Sequence, residues 1–251
     1  MNDNTPILIG VGEASERLGA ADYAALSPVE LASRAAQAAL DDAGATRAIG
    51  PHIEVIASIR QFEVSGPRAV PPFGASKNFS RSVAKRIGAD PARAILEPVG
   101  GQGPQHLVNE FAQAIGRGEL DLALFCGSEA ISTVRDLAGK GEKRDWAEDP
   151  GGQLEDRGYG DIRFSRDLAK HGARTPIHLY ALFENARRAK LGLSRADYAL
   201  EMGRLFAPFT QVAATNPHAM APEAATAEEL VEVTARNRIV SDPFPRKVIA
   251  R

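Results

Sequence analysis

The residues best suited to chemistry gather in one stretch, 93–130, RAILEPVGGQGPQHLVNEFAQAIGRGELDLALFCGSEA. Within it, Val99-Gly100-Gly101-Gln102-Gly103-Pro104 is a turn too flexible to continue either a strand or a helix. His106 falls in the first turn of the helix that follows. A helix start lowers an imidazole's proton affinity and suits a neutral hydrogen-bonding role, although a structural or surface histidine fits the same pattern. The backbone amides at that helix start are the stronger asset, because they could bind a thioester oxygen or a phosphate. Cys126 is the single cysteine and sits in the apolar run DLALFC, which reads as an inert buried thiol. His52, His106, His171, His178 and His218 never recur at i, i+3 or i, i+4, so no metal site is expected. No complete GxGxxG, GxSxG or GxxxxGK(S/T) motif occurs.

The elements that must position this turn can be read from pattern. Arg93–Pro98 is a short apolar strand closed by Pro98, and Leu107, Val108, Phe111, Ala112 and Ile115 fall at helical spacing. Leu120–Cys126 is a further buried strand ending in Gly127-Ser128-Glu129-Ala130. Upstream, Pro6–Val11 (PILIGV) reads as a buried first strand, Ser27-Pro28-Val29-Glu30 as a helix start with a capping box, and Ile53–Ile59 as a second strand. Residues 62–76 are loop and Phe79–Ile87 a short helix. The alternation β-α-β-α-β-α-β over residues 1–130 implies an α/β fold, a mostly parallel sheet covered by helices. A loop at the carboxyl end of a parallel strand is the usual place for a site. Residues 139–163 are polar and glycine-rich and read as a solvated loop. Helical patterns resume at Pro176–Lys190, at Ser194 through to Pro208, and at Ala227–Val233, and Arg246–Ala250 is expected as a strand. A chain that stops in mid-strand pattern at Arg251 is expected to be part of something longer.

A formal net charge of −2 over 251 residues gives no electrostatic footprint for nucleic acid or an anionic membrane. One cysteine excludes a disulfide framework and favours the cytoplasm. No apolar run approaches the roughly 20 residues of a membrane span.

The 93–130 stretch resembles the core of the thiolase superfamily, the acetyl-CoA acetyltransferases, especially its sterol-carrier-like and thiolase-like branches. The matching segment is Ile115, Gly118, Asp121, Leu124, Gly127, Glu129, Ala130, Ile131, Ser132, and Phe183-Glu184-Asn185-Ala186 with Leu193-Ser194-Arg195-Ala196-Asp197 is similar to a second family pattern. The resemblance implies an N-terminal α/β domain over 1–130 and a largely helical loop domain over 131–251 that shapes a coenzyme A pocket. It also places Gly100 where the family's nucleophilic cysteine stands. Glycine has nothing to acylate, so classical thiolysis or condensation through an acyl-enzyme is not expected. The family's later histidine and second cysteine have no counterpart after residue 132. The implied function is binding of coenzyme A or an acyl-CoA in lipid metabolism, with Gly101, Gln102 and Gly103 at the thioester and Arg187, Arg188 or Lys190 at the phosphates. The alternative is a scaffold or half-enzyme completed by a partner chain, or a fragment of a longer thiolase. For a tyrosine-based variant the candidates are Tyr159 and Tyr180. The family's usual state is a homo-oligomer.

Overall fold

Ser27 accepts a hydrogen bond from the Glu30 amide while the Glu30 carboxylate accepts one from the Ser27 amide, and this reciprocal cap starts α1, Pro28–Asp42. The computed structural model describes residues 4–160 and 165–249. They fall into two compact units, Met1–Asp161 and Ile162–Arg251. The first unit thus runs past residue 130, where the sequence pattern puts a boundary.

In the first unit α1 is followed by β1 (Val55–Ile59), α2 (Phe79–Arg86), β2 (Arg93–Glu97), α3 (Gly103–Gly116), β3 (Ala123–Cys126), α4 (Ile131–Gly139) and β4 (Glu155–Asp156). The strands form one sheet in the order β3-β1-β2-β4, and every pairing is parallel. Alternate residues of β1 and β2 face opposite sides, as a period of two requires. Ile56 and Ala94 join Val29, Ala32, Ala36, Val83 and Ala84 beneath α1 and α2. Val55, Ala57 and Ile95 join Leu107, Phe111 and Leu120 beneath α3. Helices therefore cover both faces, and the α/β class with a mostly parallel sheet is what the structure has.

Ile59 lies opposite Glu97, and Ser58 opposite Cys126, so β1, β2 and β3 end at one level. Their exit loops begin at Arg60, Pro98 and Gly127. These three loops share the carboxyl edge of the sheet.

Two expectations in this unit are corrected. Pro6–Val11 is not a strand: the segment has no ladder partner, and Ile7, Leu8, Ile9 and Val11 are exposed. Its glycines hold it on α1 instead, since a Cβ on Gly10 or Gly12 would sit 2.1 Å from the carbonyl oxygen of Ala39 or Ala35. The loop expected over 139–163 contributes β4, whose two residues pair with Ile95 and Leu96. Charged side chains hold that strand in place of apolar ones, so no hydrophobic pattern announces it.

The second unit comprises α5 (Arg166–Lys170), α6 (Pro176–Leu191), α7 (Arg195–Thr215), α8 (Ala227–Val231), the antiparallel pair β5 (Ile239–Ser241) and β6 (Phe244–Pro245), and α9 (Arg246–Ile249). Tyr198, Met202, Ala225, Leu230 and Val248 form its core. Arg246–Ala250 is not a strand, because within the described residues it is the short helix α9, which turns Val248 into that core. A run this short has no period that separates helix from strand. α7 also runs through Pro208 to Thr215 instead of stopping at the proline. The Thr210 hydroxyl, fully buried, lies 2.7 Å from the Ala207 carbonyl oxygen and accepts from the Ala225 amide at 2.8 Å, which anchors the turn beyond the proline.

Candidate functional site at the carboxyl edge of the sheet

β2 is apolar between Arg93 and its last residue, Glu97, whose side chain is only 8% exposed. A carboxylate buried this far is stable only if its oxygens are met by donors. His106 Nδ1 lies 2.6 Å from Glu97 Oε1, and Arg157 donates to Glu97 Oε2 at 3.0 Å. Arg157 also binds Glu110 through both terminal nitrogens, at 2.6 and 2.8 Å, and Glu155 at 2.8 Å. Arg93 pairs with the other oxygen of Glu155 at 2.6 Å. The bidentate bond from Arg157 holds the Glu110 carboxyl below its ordinary range, against the opposing effect of burial. Sequence reasoning singled out His106 but neither Glu97 nor Arg157. The available signal was a lone carboxylate ending an apolar strand, nine positions before a histidine.

Between Glu97 and His106 lies the glycine turn. Gly100 has φ 144°, a backbone conformation that a side chain strains. The Gly103 amide donates to the Gly100 carbonyl at 3.1 Å and the His106 amide to that of Gln102 at 3.0 Å. Among the described residues the amides of Gly101, Gln102 and Gln105 donate to no acceptor. They are the orphan donors of a helix start. Gly103 makes the close approach possible, because a Cβ there would lie 2.8 Å from Ile59 Cδ1 and 3.4 Å from Glu97 Cγ.

The neighbouring loops bring further charge. Arg60, 5% exposed, forms an ion pair with Asp156 and donates to the Gly158 carbonyl at 3.0 Å. Its guanidinium carbon is 4.6 Å from the centre of the Tyr159 ring, so Tyr159 serves as a cation–π platform. Burial raises the carboxyls of Glu63 and Glu129, and for Glu129 the amide of Phe62, donating at 2.9 Å, partly offsets this. Cys126 lies in β3 with its sulfur 3.4 Å from Ser58 Oγ, and burial pushes its thiol up to about 11. It is protonated at neutral pH and a poor nucleophile.

Arg187 and Arg188 belong to the second unit. Arg187 Nη1 lies 3.4 Å from the Tyr198 hydroxyl, which itself donates to Glu184, and Arg188 donates to the Leu193 carbonyl at 3.1 Å across the end of α6. Lys190 and Tyr180 are exposed on the same helix. Among the described residues no group of His, Cys, Asp and Glu is arranged to hold a metal ion, and no helix is long and apolar enough to cross a membrane.

A parallel sheet covered on both faces, with a glycine turn from its central region into a covering helix, places the chain in the α/β class, and its likeness among solved structures is to a thiolase-like fold. A monomeric SCP2-thiolase-like protein type 1 from Mycobacterium smegmatis superposes with a TM-score of 0.70 at 41% sequence identity, over 97% of this chain and 42% of that one. The chain thus spans less than half the length of the protein it resembles. That protein is described as monomeric, which lends the expected homo-oligomer no support. No family model matches the sequence, and no curated protein does.

Proposed function

We propose that this chain binds coenzyme A or an acyl-CoA at the turn Gly100–Gly103 and does not carry out thiolysis through an acyl-enzyme. The observation that carries the reading is the unfilled trio of amides at Gly101, Gln102 and Gln105, at the carboxyl end of β2 in a thiolase-like sheet. Unpaired N–H donors at a helix start suit a thioester oxygen or a phosphate. Gly100 stands where thiolases carry their nucleophile, and its positive φ fits a position built around glycine.

Calorimetric titration with coenzyme A and acetyl-CoA tests this. Micromolar binding, about −8 kcal/mol, is expected. Gly101→Pro removes one of the three donors and should weaken binding about tenfold with the thermal midpoint largely kept. Absence of heat at high protein concentration overturns the reading.

A second reading is a half-enzyme or scaffold completed by a partner chain; this chain covers 42% of the solved thiolase-like protein. Mixing experiments that show coenzyme binding only in a complex would favour it.

A further inference from the structure

Thiolysis through an acyl-enzyme needs a protein nucleophile, and the turn offers none: Gly100 has no side chain, and the Cys126 thiol is engaged with Ser58 in β3. The same turn nevertheless carries a paired acid and base. His106 Nδ1 sits 2.6 Å from a carboxylate whose side chain is 8% exposed, and Arg157 braces that carboxylate from its other oxygen at 3.0 Å. Arg157 is itself fixed by Glu110 and Glu155, and Glu155 by Arg93. These are the charged groups around the imidazole. A buried carboxylate facing Nδ1 selects the tautomer with the proton on that nitrogen and leaves Nε2 bare. Among the described residues Nε2 has no hydrogen-bond partner, and the His106 side chain is 55% exposed.

The geometry points to a general-base pair, His106 with Glu97 as its positioning residue, that activates water for hydrolysis of a thioester held at the Gly100–Gly103 turn. This rests on the acyl-CoA reading above. Water oxygen bonds to the thioester carbonyl carbon as its proton passes to His106 Nε2, and the electron pair of the C=O bond moves onto oxygen, where the turn's amides can donate. The carbonyl re-forms, the C–S bond breaks, and the sulfur leaves as a thiol on receiving the proton from Nε2. The products are a carboxylic acid and the free thiol, and no oxidant or further reactant enters. Glu97 holds the imidazole in place through Nδ1.

The test uses the full chain with acetyl-CoA and, separately, with S-acetyl-N-acetylcysteamine, a small thioester lacking the nucleotide, and follows thiol release. Wild-type protein should release thiol above buffer. His106→Ala should lower the rate about 100-fold or more, and His52→Gln, on an exposed turn elsewhere, should leave it unchanged. Glu97→Gln should lower kcat with KM little altered. Should that variant fail to fold, the nitrogen-15 spectrum of wild-type His106 at high pH should show Nδ1 protonated and Nε2 bare. The opposite tautomer, or thiol release equal in wild-type and His106→Ala, overturns the pair. If acetyl-CoA binds and neither thioester is cleaved, the pair falls and the binding reading stands. If coenzyme A gives no heat but the small thioester is cleaved in a His106-dependent way, the binding reading falls and the pair stands.

Discussion

Arg157 has the most consequential side chain in the first unit. It neutralises a buried carboxylate at the end of β2 and ties α3 to the loop that carries β4. Removing it would leave Glu97 with one donor and Glu110 with none of the contacts described here, and an unpaired buried charge is costly. Because Arg157 is 20% exposed, Arg157→Gln should cost less than breaking a fully buried pair, about 2–3 kcal/mol by urea denaturation. The pH dependence has a definite sign. Glu110 is held below its ordinary value of 4.5 chiefly by the hydrogen bonds from Arg157. A depressed carboxyl contributes stability that is complete above the unfolded-state value and is lost as pH falls through the folded one. Wild-type protein should therefore lose stability as pH drops below about 4.5, and Arg157→Gln should flatten that slope. An equal slope in the two proteins would show that the ion pair does not carry it. None of this was legible at the residue scale, because Glu97 and Arg157 are sixty positions apart and Arg157 stands in a run of mixed charge. Adjacency across β2 and β4 brings them together, and no sequence period encodes it.

Among the elements, those with a local chemical signature were readable. The capping box at Ser27, the apolar runs of β1, β2 and β3, and the helical spacing of α3 each report a local preference that the packing then agrees with. Where a tertiary contact decides, the signature misleads. Pro208 reads as a stop, but Thr210 is secured to Ala225 and carries α7 onward. Gly203 shows the same priority of packing over propensity. Alanine is the better helix former by about 1 kcal/mol, but a Cβ at 203 would lie 2.4 Å from the Ala227 carbonyl oxygen, where α8 crosses α7. Backbone cannot yield as a flexible side chain can, so Gly203→Ala should destabilise the second unit by about 1–3 kcal/mol. Gly116→Ala, on α3 with nothing within 4 Å of the added carbon, should be neutral or slightly stabilising. Thermal unfolding of the two variants checks the contrast, and equal midpoints would refute it.

For the molecule as a whole, the α/β class followed from the order of elements, and so did the place of the Gly100–Gly103 turn at the carboxyl edge, where parallel strands present their ends together. What the order could not give was which apolar run enters the sheet. Pro6–Val11 has the composition of a core strand and lies outside the sheet, while Glu155–Asp156 has the composition of a loop and lies within it. The first of these has a consequence for handling the protein. β3 is an edge strand with β1 as its ladder partner, and a groove of about 340 Å³ separates it from the segment carrying Ile7, Leu8 and Ile9. The uncharged, β-prone run Ile7–Val11 beside an edge strand is a template for stacking of one copy on the next. Concentrated solutions should scatter light increasingly with time and bind thioflavin T, and Leu8→Lys, at a side chain 76% exposed, should suppress both without lowering the melting temperature. Clear solutions of the wild-type chain at millimolar concentration would mean that this edge is already protected.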